Sequence, residues 1–218
     1  MNLTEAIERV RQADAALLQA ESGPFPVPIR GLEAVVVGAV TALSSGDWWV
    51  PGLRERAGAV LRNAPLERLL EGPRGARPYK VAPSSASPAL RALYAVGIAL
   101  AHPEQTVVAH LGIGSAADGA WYEALNLATL NHTNTVFVVA VHPLTGDAPL
   151  APQLATSPSR IAAAFGIPTT EVDGNSATAV HGAVAAAKTA GGPHLIEAKL
   201  TPGEDLLERC RTEEIATS

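Results

Sequence analysis

Residues Leu111–Asn131, LGIGSAADGAWYEALNLATLN, decide how the rest of the chain is read. An apolar run, TVVAHL (106–111), leads into a glycine-bounded turn, and a helix-forming stretch follows over 118–131. Strand, tight turn and helix together make the geometry that turns backbone N–H groups and a helix N-terminus toward a phosphate. Gly112 and Gly114 flank the place where such a turn shows a reactive side chain, and Ile113 stands there. Asp118 is expected to cap the helix that follows, satisfying its free N–H groups.

Working outward, the same alternation repeats. TVFVVAV (135–141), TTEVD (169–173) and HLIEAKL (194–200) read as strands. A helix from Ser157-Pro158 to Gly166 and another over 176–190 separate them. Apolar strands alternating with helices predict a parallel sheet covered on both faces. Toward the N-terminus, residues 2–21 predict a helix with Asn2 three residues before Glu5, and with Leu3, Ile7, Val10 and Leu17 as its apolar stripe, interrupted by Asp14. GPFPVPIRG is read as an extended loop. A second helix is expected over Leu32–Leu43, stopping at Ser44-Ser45-Gly46-Asp47, with shorter ones near 52–62 and 65–71. The stretch GPRGARPYKVAPSSASP (72–88) is read as a loop, and Ser87-Pro88 as the start of a helix that runs through Ala101. There is no internal repeat. The organisation expected is an N-terminal helix and Pro-rich loop (1–30), an α/β domain (31–200) and a C-terminal tail (201–218).

Composition narrows the function classes. Hydrophobic residues make up 47% of 218 positions, enough to fill a core, while aromatics are only 4%, so alanine, valine and leucine carry the packing. The net charge of -5 comes with no basic block, which argues against a nucleic-acid partner. No apolar run reaches the roughly 18 residues of a membrane span. The start, NLTEAIERV, lacks a signal-peptide core, and Cys210 is the single cysteine, so a cytoplasmic setting is expected. The chain has no G-x-S-x-G, H-E-x-x-H, P-loop or full G-x-G-x-x-G motif. Its histidines show no paired metal-ligand spacing, and His110, inside an apolar strand, is expected to be hydrogen-bonded in the core. The Trp48-Trp49 pair is a candidate interface, because neighbouring indoles are hard to bury on one helix face.

Three segments in order, GLEAVVVGAVTALSSGDWWVPGLRERAGAVL (31–61), SPALRALYAVGIALA (87–101) and GIGSAADGAWYEALNLATLN (112–131), resemble the alpha subunit of pyruvate-dehydrogenase-type 2-oxoacid dehydrogenases. Phe165-Gly166-Ile167-Pro168 and Val172-Asp173-Gly174-Asn175 extend the likeness, which covers roughly residues 27–200. The resemblance implies a three-layer α/β fold of the thiamine-diphosphate-binding type, with a mainly parallel sheet and an N-terminal helical extension. It also implies a beta-subunit partner, and a magnesium ion that bridges the cofactor's diphosphate to a Gly-Asp-Gly and a later Asn-Asn. Magnesium wants hard oxygen ligands in an octahedral shell.

Carried onto this chain, the family's cofactor positions are Arg54, Gly112, Ile113, Gly114, Ser115, His142 and Leu144. The Asp has become Ile113, the Asn-Asn pair falls on Val141-His142, and Leu144 supplies the backbone carbonyl. A Tyr-Arg pair before an acid and a histidine becomes Leu53-Arg54-Glu55-Arg56, and a histidine-bearing channel loop becomes Arg77-Pro78-Tyr79-Lys80. No catalytic residue and no metal ligand is assigned. The expectation is a dehydrogenase alpha-like chain that has lost magnesium–thiamine diphosphate and acts through association, as a homodimer or with a beta-like chain. The alternatives are a functional alpha subunit that binds thiamine diphosphate with magnesium, and a binder of another anionic metabolite.

Overall fold

Side chains of an extended strand point alternately to opposite faces, and this resolves the Trp48-Trp49 pair. In the computed structural model Trp48–Val50 form β1, an element the sequence reading missed. The structure describes residues 2–20, 28–71, 76–83, 87–142 and 154–201, and the backbone of 144–145 and 148–149. Trp48 turns to one face of the sheet and Trp49 to the other, and each joins a different apolar cluster. Both indoles are largely buried within the chain, Trp49 completely, while Trp48 lines a groove open to the surface.

β1 is an edge of a five-stranded parallel sheet in the order β1-β2-β3-β7-β6, with β2 at Val107–Gly112, β3 at Thr135–Val141, β6 at Thr169–Asp173 and β7 at His194–Lys199. Two short strands, β4 (Leu144–Thr145) and β5 (Ala148–Pro149), pair only with each other. On one face lie α1 (Leu3–Ala20), α2 (Glu33–Thr41) and α7 (Ala177–Ala190), packed around Ile7, Val36, Trp49, Val138 and Val180. On the other lie α4 (Leu90–Ala101), α5 (Gly119–Leu130) and α6 (Pro158–Ala164), packed around Trp121, Phe137, Val139 and Ile161. A short helix, α3 (Leu66–Leu70), packs beside α1, with Leu66 and Leu69 against the same apolar cluster. This is the three-layer α/β architecture expected from the alternation of strands and helices.

Local chemistry explains most boundaries. The Asn2 side chain accepts the Glu5 amide at 2.7 Å and starts α1. Ser157 and Ser176 accept the Arg160 and Ala179 amides and start α6 and α7. Gly166, with a positive φ of 78°, closes the turn after α6. The short helix expected near 52–62 is a 3-10 helix over Arg56–Arg62 that stops at left-handed Asn63. Two expectations need correction. Ser87 is not the cap of α4: that helix begins at Leu90, and its entry is instead fixed by Arg91, whose Nε donates to the Pro88 carbonyl at 3.0 Å. Within 72–88, Val81 pairs with Trp49 and lengthens the sheet edge. The expected loop at 21–27 and the tail beyond Thr201, with Cys210, lie outside the described residues.

At the amino end of β1 a polar hub ties the layers together. Asp47 accepts the Ser44 amide at 2.7 Å, the Thr106 amide at 3.0 Å and Lys188 Nζ at 2.6 Å. Arg62 donates to the Ser44, Ser45 and Asp47 carbonyls. Burial works to raise the Asp47 carboxyl, but the Lys188 hydrogen bond and the two amides outweigh it and hold it below the ordinary range. Among the described residues no helix is long and apolar enough to cross a membrane.

Candidate functional site

In a parallel α/β sheet, ligands sit beyond the carboxyl ends of the strands. Here that edge gathers the loop after β1 (Gly52–Glu55), the turn after β2, His142 after β3, and the exits of β6 and β7. Asn175 clamps those last exits together, its amide donating to the Thr201 carbonyl and its Oδ1 accepting the Thr201 amide, both at 2.9 Å. The likeness around Asp173-Gly174-Asn175 is thus a structural device as well as a sequence match.

The glycine turn after β2 is a 3-10 helix over Ile113–Ala117, reached through Gly112 at φ -85°. A Cβ added at Gly112 or Gly119 would meet nothing within 4 Å. Among the described residues neither a left-handed backbone nor close packing explains these glycines, and they front space at the sheet edge that no described residue fills. Asp118 caps α5, accepting the Ala120 amide at 2.9 Å, as expected. Its carboxylate occupies the helix start where a second anion would otherwise sit.

The positions that the resemblance assigns to a magnesium-bridged diphosphate carry other chemistry. Ile113 is 4% exposed, a hydrocarbon turned inward. Val141 packs against the α4–α5 cluster, and His142 is half-buried. Ser115 is buried, and Leu144 lies in β4, where only the backbone is described. Arg54 does not reach toward the turn through a free guanidinium: its Nε and Nη2 donate to the Pro28 and Arg30 carbonyls at 3.1 and 3.0 Å. Arg77–Tyr79 form a 3-10 helix, and Lys80 Nζ lies 4.8 Å from the Trp48 ring centre. Among the described residues no group of three His, Cys, Asp or Glu could hold a metal ion. These residues do not fit a magnesium shell, since hydrocarbon at 113 and 141 and an imidazole at 142 cannot supply hard oxygens.

Sequence reading missed a buried cluster beside this edge. Arg91 and Glu55, each with a side chain 7% exposed, pair at 3.4 Å. Gly52 makes room for them, because a Cβ there would lie 1.4 Å from Arg91 Nη1. His110 is packed edge-on against Trp49, with ring centres 5.7 Å apart. Contrary to expectation, its Nε2 is buried without a hydrogen-bond partner. Burial, opposed by Glu55 and aided by Arg91, lowers its pKa to about 4, so the ring is neutral. The available signal was Arg91 itself, the one charge in an otherwise apolar stretch, ALRALYAVGIALA. A second buried pair holds α6 to β7: Glu197 accepts the Ser159 amide at 3.0 Å and hydroxyl at 2.6 Å.

The layered parallel sheet and its glycine turn define a domain of the thiamine-diphosphate-enzyme fold. The chain superposes on a transketolase from Campylobacter jejuni with a TM-score of 0.76 at 19% identity, covering 92% of this chain and 38% of that one. The sequence pattern of the family described as "Dehydrogenase E1 component" matches residues 3–200, and the chain belongs to that family. It is 33% identical over 211 residues to the 3-methyl-2-oxobutanoate dehydrogenase subunit alpha of Mycobacterium tuberculosis, covering 89% of this chain and 55% of that protein. It is 31% identical over 186 residues to the pyruvate dehydrogenase E1 component subunit alpha of Mycoplasma pneumoniae, covering 78% of this chain and 52% of that protein. The chain spans about half the length of the curated relatives it matches.

Proposed function

We propose that this chain is an alpha-subunit-like member of the family that does not hold magnesium–thiamine diphosphate and works through association, in a structural or regulatory role. One observation carries the reading. At the position where the resemblance places the cation's carboxylate stands Ile113, 4% exposed and without a lone pair. Burying a divalent ion against hydrocarbon leaves its charge uncompensated, which is far costlier than leaving it in water. The residues at 54 and 142 do not make up the deficit, because the Arg54 guanidinium is itself a cation with no acceptor atom to offer a metal and His142 is a poor magnesium ligand.

The test is thermal unfolding with and without thiamine diphosphate plus magnesium. A ligand at a hundred times its dissociation constant stabilises a fold by about 2.7 kcal/mol, so a real site gives a clear upward shift. The expected result is none, and a saturable shift overturns the proposal. A second reading, a working alpha subunit that needs a beta chain, draws on relatives named as dehydrogenase alpha subunits. It requires 2-oxoacid decarboxylation once a beta chain is added, and it requires Ile113→Asp to strengthen cofactor binding.

A further inference from the structure

Helix α4, LRALYAVGIALA, packs Ala92, Ala95, Val96 and Ala99 on the sheet. Four residues that it leaves unburied, Leu93, Gly97, Ile98 and Ala101, line one wall of a groove of about 860 Å³. Trp48, Ala82 and Pro83 line the other. Small-molecule sites span roughly 300–1,000 Å³ and are walled mainly by apolar and aromatic side chains, so both the size and the lining match. The groove runs down α4 from Leu93 to the C-cap His102, about 13 Å at 1.5 Å per residue. It ends beside Trp48, the first residue of β1, away from the carboxyl edge of the sheet where Ile113 stands.

Glycine inside a helix is less stable than alanine, and a Cβ at 97 would meet nothing within 4 Å. No contact among the described residues explains glycine there, whereas a ligand lying against the helix backbone does. The charge beside the groove is positive. Glu71 is already paired with Arg68 at 2.7 Å, while no described residue answers the Arg77 guanidinium. Lys80, which ends the same short helix as Arg77, has its Nζ 4.8 Å from the ring centre of Trp48. The His102 ring stacks on the same indole, with ring centres 5.8 Å apart. An apolar trough flanked by an unpaired guanidinium and an ammonium suits a molecule that is hydrocarbon along its length and anionic at one end.

We propose that this groove is a binding site for a medium-chain acyl carboxylate, with the chain laid along α4 over Gly97 and against Trp48 and the carboxylate turned to Arg77. The small residues Gly97 and Ala101 let the hydrocarbon lie close to the helix, and Leu93 and Ile98 flank it. A guanidinium pairs a carboxylate through two parallel N–H groups, which fixes which end of the molecule faces the 77–80 turn. The site stands apart from the cofactor edge, and neither outcome of a thiamine diphosphate titration alters it.

Tryptophan fluorescence of the purified chain, titrated with decanoate, tests it. Trp49 and Trp121 are fully buried and Trp48 lines the groove, so a saturable change in emission that Trp48→Phe removes reports binding here. The wild type binds decanoate at micromolar concentration and the uncharged decanol roughly fivefold more weakly, the size of an exposed ion pair. Arg77→Glu weakens decanoate by about that factor or more and leaves decanol unchanged. Gly97→Leu, whose side chain projects into the groove, stops both while circular dichroism shows the fold intact. Ala101→Phe, one turn further along the same wall, does the same. Gly182→Leu, on α7 across the sheet and equally unobstructed, binds as the wild type does. A wild type that shows no saturable binding, whether the groove is unsuited or another chain covers it, overturns the inference. So does binding that survives both Gly97→Leu and Ala101→Phe, or decanol bound as tightly as decanoate.

Discussion

Lowering the pH acts on the fold through His110, and the size of the effect follows from its burial. In the folded chain the imidazole takes a proton only near pH 4, while in the unfolded chain it does so near 6.5. Between those values the unfolded state binds more protons, so stability falls as pH falls; above 6.5 this residue contributes no pH dependence. Each pH unit in that window is worth about 1.4 kcal/mol, and the window removes about 3 kcal/mol. Replacing the ring by a hydrocarbon separates this residue from every other titrating group. His110→Leu loses the edge contact with Trp49, about 1 kcal/mol at neutral pH, but it has no proton to exclude. Urea unfolding followed by tryptophan fluorescence from pH 7.5 to 4 gives both stability curves. The expected outcome is a variant weaker than wild type at pH 7.5 and stronger by about 2 kcal/mol at pH 4. Parallel curves refute the reasoning, because they mean that the buried ring is reached by water or is paired in the fold.

Other outcomes follow from the packing. Asp47→Ala strands the Ser44 and Thr106 amides and the half-buried Lys188 ammonium, so it lowers unfolding free energy by about 3 kcal/mol in chemical denaturation. Gly52→Ala drives a methyl group into the Arg91–Glu55 pair and lowers the melting temperature by at least several degrees, with a loss of about 2–3 kcal/mol. Two helical glycines behave oppositely in the same assay. Gly38→Ala meets the Ala177 carbonyl at 2.5 Å and destabilises, while Gly182→Ala meets nothing and stabilises by about 0.5–1 kcal/mol.

Where a pattern is carried by many residues, the sequence was a sufficient guide. The strands at 107–112, 135–141 and 194–199 and the helices between them each rest on a run of apolar positions and a cap, and they stand where the pattern put them. β1 did not, because three residues are too few to show a period, and its flanking glycine and proline read as loop. The same brevity hid why two tryptophans stand side by side. At the site, Ile113 and Asp118 were legible because single positions in a known frame have fixed consequences. The Arg91–Glu55–His110 cluster was not, since its members come from three elements far apart in the chain and meet only through the sheet. Arg54 was legible as a retained residue but not as one bonded to Pro28 and Arg30, a contact that depends on where the N-terminal segment folds back.

Isothermal titration of the purified chain with thiamine diphosphate and magnesium, alone and then with a beta-like subunit, addresses the central claim most directly. The account predicts heats of dilution in both titrations. A saturable one-to-one isotherm in either would mean that the cation finds its oxygens despite the buried isoleucine, and that the chain keeps its family's cofactor.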